Sequence, residues 1–197
     1  MRRPITSRVL LASLVALAAA CSDASQQSQP SPNVPRLSSG TIPLLSQTLA
    51  RRQALRTDVV RTIVVGSNGG RIEIPEDGLR VDIPSNALPK GRGSVSVKVT
   101  ALAGSQLAYE FEPTGTTFTQ PLRFEQDLNS LTLTSSLLGR LLPSVSYFKS
   151  RSDLNASNGV ARTYEELLTA FDLSGHTLKA EIWHFSGYVV SWGREAR

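Results

Sequence analysis

Cysteine is almost absent from this sequence: Cys21 stands alone among 197 residues. No internal disulfide can form, so any fold must rest on a hydrophobic core. Histidine occurs twice, at His176 and His184, and no His-x-x-x-His pair or further cysteine supplies the ligand spacing of a metal centre. Gly66-Ser67-Asn68-Gly69-Gly70 leads into a β-type run rather than a helix, so it is no phosphate cradle, and no cofactor is implied. Blocks of like charge are missing too. The formal net charge is +5, but Arg2, Arg3 and Arg8 carry three of those charges and residues 21–197 keep only +2, too little to argue for nucleic acid. No aromatic residue precedes Tyr109, and the last is Trp192. With 40% hydrophobic and 19% charged residues, the composition suits one globular domain with appendages.

No apolar run reaches the roughly 20 residues of a membrane-spanning helix. Val9 to Ala20 is apolar apart from Ser13 and follows a basic start. About 7–15 apolar residues after basic ones, closing on small residues, predict a secretory signal peptide over residues 1–20. Leu17-Ala18-Ala19-Ala20-Cys21 resembles the bacterial lipobox. That resemblance implies cleavage after Ala20, a diacylglyceryl-modified Cys21 (with palmitate-type chains) and anchorage to a membrane of the cell envelope. Ser22, where retained lipoproteins of Gram-negative cells carry Asp, points the same resemblance toward the outer membrane. Two or more acyl chains hold a protein stably where one does not, at about 0.8 kcal/mol per buried methylene. The lipobox usually has Leu at the place of Ala18, and Ala18-x-Ala20 also fits an ordinary secretory cleavage site. The competing expectation is a soluble secreted protein with a free thiol.

Residues 21–42 form the expected linker. Ser22 to Arg36 reads SDASQQSQPSPNVPR, with almost nothing to bury, and predicts a disordered, partly extended tether. Over residues 43–57, Pro43 followed by Leu44, Leu45, Thr48, Leu49 and Leu55 predicts a short helix. It would dock on the domain or on a membrane surface, with Arg51, Arg52 and Arg56 near anionic headgroups.

From Asp58 the hydrophobic period becomes two. Val59–Val65, Arg71–Pro75 and Leu79–Pro84 read as strands, and Glu76-Asp77-Gly78 between the last two is a strong hairpin signal. Further strands are expected over Ser94–Leu102, Leu107–Glu112, Leu122–Asp127, Ser144–Lys149 and Leu167–Asp172, with one long strand from Thr177 to Trp192. Many short strands between Gly, Pro and Asp turns predict an all-β fold, an antiparallel β-sandwich over residues 58–193.

Three segments carry a resemblance. Gly69-Gly70-Arg71-Ile72 with Leu79-Arg80-Val81-Asp82-Ile83-Pro84-Ser85-Asn86-Ala87-Leu88 comes first, then Tyr109-Glu110-Phe111-Glu112-Pro113-Thr114-Gly115-Thr116-Thr117-Phe118 with Gln120-Pro121-Leu122, and finally Trp183-His184-Phe185-Ser186-Gly187-Tyr188. In this order they resemble the ZU-five domain, the β-sandwich of zonula-occludens, ankyrin and netrin-receptor proteins, over about residues 62–192. Residues 128–142 fit that pattern poorly and are expected as an irregular insertion. Pro84 and Pro113 are expected to end strands, Gly115 to take a positive φ, and Tyr109, Phe111, Phe118 and Phe124 to fill the core.

Chemistry has few footholds. Asp77 and the pair Glu165-Glu166 show no partner in sequence. In the last expected strand, alternation puts Leu178, Ala180, Ile182, His184, Ser186, Tyr188, Val190 and Trp192 on one face, with His184 and Ser186 about 7 Å apart at Cα. Some ZU-five relatives that carry His-Phe-Ser cut their own chain between Phe and Ser. The resemblance therefore implies a candidate self-cleavage in which Ser186 Oγ attacks the Phe185 carbonyl with His184 as base, Gly187 permitting a bulge. The other reading makes His184 a packed histidine bonded to Ser186 or to backbone, and only Ser186 to Arg197 would follow such a cut.

The favoured expectation is a non-catalytic, membrane-anchored extracytoplasmic module that binds a protein or glycan of the envelope. The alternative is a single-turnover self-cleaving domain. A hydrolase would further require His176 or His184 in a pocket beside carboxylates.

Overall fold

Alternating apolar residues become strands wherever one side of a ladder can be buried, and this chain is all-β. The computed structural model describes residues 43–91, 93–129, 131, 141–172, 174 and 176–195. The expected signal peptide, Cys21, the linker to residue 42 and most of the expected insertion at 128–142 lie outside the described residues. The strands are β1 (Leu44–Gln47), β2 (Ala50–Leu55), β3 (Val59–Val65), β4 (Gly70–Ile74), β5 (Leu79–Ile83), β6 (Val95–Ala101), β7 (Gly104–Gln106) and β8 (Ala108–Glu112). They continue as β9 (Thr117–Asp127), β10 (Leu141–Phe148), β11 (Leu154–Asn155), β12 (Val160–Thr163), β13 (Glu165–Glu166), β14 (Thr169–Asp172), β15 (Thr177–His184) and β16 (Gly187–Glu195).

Two antiparallel sheets make the sandwich. One has the order β13-β10-β16-β8-β6-β3, the other β14-β15-β9-β5-β4. The Asp77-Gly78 signal is a hairpin: Ile74 stands opposite Leu79 across a 3-10 turn over Pro75–Asp77, closed by Gly78 at φ 68°. Tyr109, Phe111, Phe124, Phe185 and Tyr188 are fully buried between the sheets with Val81, Leu122 and Ile182. β5 ends before Pro84 and β8 before Pro113, which cannot donate to a ladder. Gly115 turns the chain at φ 80°.

A third, small sheet of order β1-β12-β11 lies over the outer side of the six-stranded sheet. Ala161 and Leu154 from this layer pack on Ala108, Phe148 and Val189, a second core separate from the first.

Two expectations are corrected. Residues 43–57 form β1 and β2 rather than a helix. Their backbone is taken up by sheet partners: Leu44 to Gln47 pair with Thr163 to Val160, Leu49 N donates to the Val190 carbonyl at 2.9 Å, and Ala50 stands opposite Gln106. A lone helix of this length is marginal, and ladder hydrogen bonds plus burial of Leu49 outweigh it. Likewise, Thr177 to Trp192 is two strands, not one. β15 belongs to the five-stranded sheet and β16 to the six-stranded one, so the chain crosses between layers at Phe185-Ser186.

Candidate functional site

The crossover is built from the residues that sequence singled out. Phe185 follows the end of β15 in one layer and drives its ring into the core. There it stacks on Phe111 (centroids 6.0 Å apart, planes at 23°) and meets Phe118 edge-on at 4.7 Å. Its backbone is fixed at both ends, Phe185 N donating to the Thr116 carbonyl (2.8 Å) and Gly115 N donating to the Phe185 carbonyl (3.0 Å). Phe111 N in turn donates to the Ser186 carbonyl at 2.9 Å. Gly187 then opens β16 opposite Phe148. A Cβ there would stand 2.4 Å from the Phe148 ring, so this glycine serves close packing. The ladder irregularity falls earlier, between Ile182 and His184 on β15.

His184 and Ser186 turn toward different partners. The Ser186 hydroxyl is buried and reaches the Phe148 carbonyl at 3.5 Å. The His184 ring faces Tyr147 edge-on at 5.2 Å, and its Nδ1 lies 3.3 Å from the Tyr188 hydroxyl, which donates to the His184 carbonyl at 2.7 Å. Burial pulls the imidazole below its usual pKa, with a hydrogen bond to the Phe185 backbone opposing. Burial also pushes the Tyr188 hydroxyl well above its ordinary value. The result is a histidine whose charged form is disfavoured, set in a tyrosine-walled niche. His176 lies at the far end of β15, in an exposed turn at φ 47°, so the two histidines do not share a pocket.

The three segments that carry the ZU-five resemblance meet in space. Thr119 N donates to the Ala87 carbonyl at 2.9 Å and its hydroxyl to the Asn86 carbonyl at 2.7 Å, joining the first segment to the second. Phe111 and Phe118 join the second to the third through Phe185. No family model matches the chain, and neither does any curated protein.

Sequence reasoning missed a buried polar network at the other end of the sandwich. Arg51 on β2 grips Asp77 through two hydrogen bonds, Nε to Oδ1 at 2.5 Å and Nη2 to Oδ2 at 2.6 Å, and both side chains are buried. Its Nη1 donates to the carbonyls of Gln106 and Gly104. Gln126 Nε2 donates to the Asp77 carbonyl and Gln126 Oε1 accepts from the Tyr109 hydroxyl, each at 2.7 Å. Burial, and after it the Asp77 charge, pushes Tyr109 well above its ordinary pKa. Arg51 and Asp77 lie 26 residues apart, and no local pattern announces the pair. Arg52, also expected near headgroups, donates to the Leu131 carbonyl at 2.8 Å.

Among the clefts at the surface of the described residues, two lie against strands of this fold discussed above. One of about 450 Å³ lies against the five-stranded sheet between Arg123, Leu168, Thr169, Lys179 and Glu181. A second, about 200 Å³, lies between β1 and β16 and is lined by Ser144, Ser146, Ser191 and Trp192.

Proposed function

We propose that this chain is a lipid-anchored extracytoplasmic protein whose β-sandwich is a non-catalytic binding module for a protein or glycan of the cell envelope, a divergent relative of the ZU-five domain. The observation that carries this reading is the way the chain enters its fold. The linker expected to run from Cys21 would reach the domain at Pro43, and β1 and β2 follow at once, held by the third sheet and by the buried Arg51–Asp77 pair. A tether at this end pulls on a locked element rather than on a frayed one. The meeting of the three motif segments, the second and third of them in one aromatic cluster, supports the ZU-five kinship.

Growth with an alkyne palmitate analogue tests the anchor. The parent should take up label and sediment with membranes, and Cys21→Ala should lose the label and become soluble. An unlabelled, soluble parent would overturn the anchor and favour secretion.

Self-cleavage is the second reading, favoured by one contact: the Phe185 carbonyl already accepts an N–H from Gly115, as an oxyanion would. Ser186 Oγ would bond to the Phe185 carbonyl carbon and give its proton to His184. The Phe185–Ser186 amide would break as its nitrogen took that proton, and water would then hydrolyse the ester. The engagement of His184 with Tyr188 and of Ser186 with Phe148 supports the non-catalytic reading instead. Denatured intact mass decides: one uncut mass for the parent and for Ser186→Ala rejects cleavage, and loss of the Ser186–Arg197 peptide in the parent alone establishes it.

A further inference from the structure

The small third sheet covers the six-stranded sheet in two halves of different chemistry. In one half Ala161 and Leu154 press on Ala108, Phe148 and Val189, and the contact is apolar. In the other half the sheet presents Ser144, Ser146 and Ser191, all buried, beside β1, which bridges to Ser191 through Thr48. Small hydroxyls do not fill the space there, and the cleft of about 200 Å³ remains. Ser191 Oγ lies 3.3 Å from Ser146 Oγ and 3.5 Å from Ser144 Oγ. Hydroxyl pairs usually close to about 2.7–2.8 Å, so these contacts are stretched. Each hydroxyl carries one donor and two acceptor sites, and two long contacts occupy few of them. A cover with only structural duty would be served by larger apolar residues, which fill space and need no partners. Hydroxyls around a space suit a polar ligand instead.

The walls narrow the choice of ligand. Among the described residues that line the cleft, Glu166 alone is charged. Its carboxylate stands close to Gly193: a Cβ on that glycine would lie 3.1 Å from Glu166 Oε1 and 3.4 Å from the Ser144 Cβ. The bare glycine thus leaves the carboxylate and the serines facing one space. Leu44 adds an apolar wall, 42% exposed. A carboxylate only accepts hydrogen bonds, so the group opposite it must donate, whereas the serines both donate and accept. A negatively charged ligand would meet a like charge. The neighbouring hydroxyls of an uncharged sugar satisfy these conditions, and its C–H groups suit Leu44. We infer that this cleft is a binding site for one ring of a neutral glycan, Glu166 accepting from adjacent sugar hydroxyls while Ser144, Ser146 and Ser191 bond to others. Sites for whole ligands usually measure about 300–1,000 Å³, so the rest of the glycan stays outside. The inference rests on the binding-module reading and names a ligand class for it.

The test titrates the purified full chain, in a detergent without sugar headgroups, with glucose, galactose and mannose, and follows the amides by NMR. At least one hexose should shift the Ser144, Ser146, Ser191 and Gly193 amides together, and the matching uronic acid should bind less tightly. Ser191→Ala should weaken the hexose about tenfold, as the loss of one or two hydrogen bonds to the ligand does, with the rest of the spectrum unchanged. Glu166→Gln should narrow the gap between hexose and uronic acid, an effect that unfolding would not produce. An unchanged gap in folded Glu166→Gln, or full affinity in Ser191→Ala, overturns the assignment. Shifts that map to the cleft at Lys179 instead would overturn this site while glycan binding by the module stood. Ethanolamine that shifts these amides where no hexose does would make the cleft a cation site and likewise overturn the proposal. No response to any hexose overturns it too. The module reading is then judged separately, by photo-cross-linking in cells from position 179, which lies outside this cleft.

Discussion

The two outer faces of the sandwich are made from the same alternation and end differently. On the five-stranded sheet, β4, β5, β9 and β15 present Arg71, Glu73, Arg80, Asp82, Glu125 and Lys179 to solvent as a lattice of opposite charges. Asp82 takes Arg71 at 2.5 Å and Arg80 at 3.0 Å, while Glu125 lies 3.8 Å from Arg80 and 3.7 Å from Lys179. On the six-stranded sheet, β8, β10 and β16 present Ala108, Phe148, Val189, Ser144, Ser146 and Ser191, and all six are buried. The uncharged part of this face needs a cover, which β1, β11 and β12 supply, while beyond it Glu110 and Glu112 of β8 pair with Arg151 and Lys98. Apolar burial, at roughly 25 cal/mol per Å², drives that covering, whereas exposed ion pairs leave the other face open at little gain. The contrast can be broken from either side, and the covered side should break harder.

The largest effect is expected at Arg51, which holds the strap that joins the cover to the sandwich. Arg51→Ala leaves the Asp77 carboxylate buried without its cation, and breaking a buried pair in this way costs about 3–5 kcal/mol. Urea unfolding should show that loss, and proteolysis should begin within 44–55. The double change Arg51→Met with Asp77→Leu should lose less than Arg51→Ala alone, because no uncompensated charge remains. Equal losses would mean that the apolar contacts of Leu49, rather than the ion pair, fix the strap.

Gly187 comes next, at the point where the chain changes layers. A methyl there meets the Phe148 ring on the covered face, and overpacking of this kind costs about 1–3 kcal/mol. Phe148→Leu should recover part of the loss in a Gly187→Ala background, measured as the shift in thermal midpoint. No recovery would place the strain in the backbone of the crossover.

How much of this was legible varies with range. Val59–Val65 and the Ile74–Leu79 hairpin could be read because strand period and Asp77-Gly78 are local signals. Tyr109, Phe111, Phe118 and Phe124 could be named as core because large aromatics are seldom exposed together. The sheet change at Phe185-Ser186 could not, since Phe185, Ser186, Gly187 and Tyr188 are all buried and the alternation slips phase without a proline or a positive φ. Leucines at 44, 45, 49 and 55 mimic a helical stripe, and only partners far along the chain, from Gly104 onward, make strands of them. Of the candidate site, the residue types at 184–186 were legible, but the directions of His184 and Ser186 depend on Tyr188 and on Phe148 from another strand.

A smaller effect is expected from pH at His184. Its folded-state pKa lies below the unfolded value of 6.5, so the unfolded chain takes up the proton more readily. Stability contributed by the neutral ring is complete above about pH 6.5 and declines as pH falls below it. The thermal midpoint should therefore drop between pH 7 and pH 5.5, and His184→Gln should flatten that slope. Glu165 slopes the other way, because burial raises its pKa above 4.5 and its ionised form becomes the disfavoured one as pH rises. Glu165→Gln should accordingly steepen the loss on acidification, which separates the two groups. An unchanged slope in His184→Gln would place the titration elsewhere.

The smallest effect is expected on the open face. Lys179 lies 3.7 Å from Glu125 with its side chain half exposed, and such pairs contribute between nothing and about 1 kcal/mol. Lys179→Ala should leave the urea midpoint nearly unchanged, and about 1 M salt should erase what difference there is, because the screening length then falls to about 3 Å, shorter than the pair. The same substitution also widens the cleft beside Leu168, whose side chain is 94% exposed. If Lys179→Ala instead destabilised the fold as much as Gly187→Ala, the charge lattice would be holding the five-stranded sheet together. The two faces would then differ in what covers them but not in how firmly they are held. If stability is unmoved, the open face is free of structural duty, and its charges and the exposed Leu168 can be varied to seek a ligand without disturbing the fold beneath.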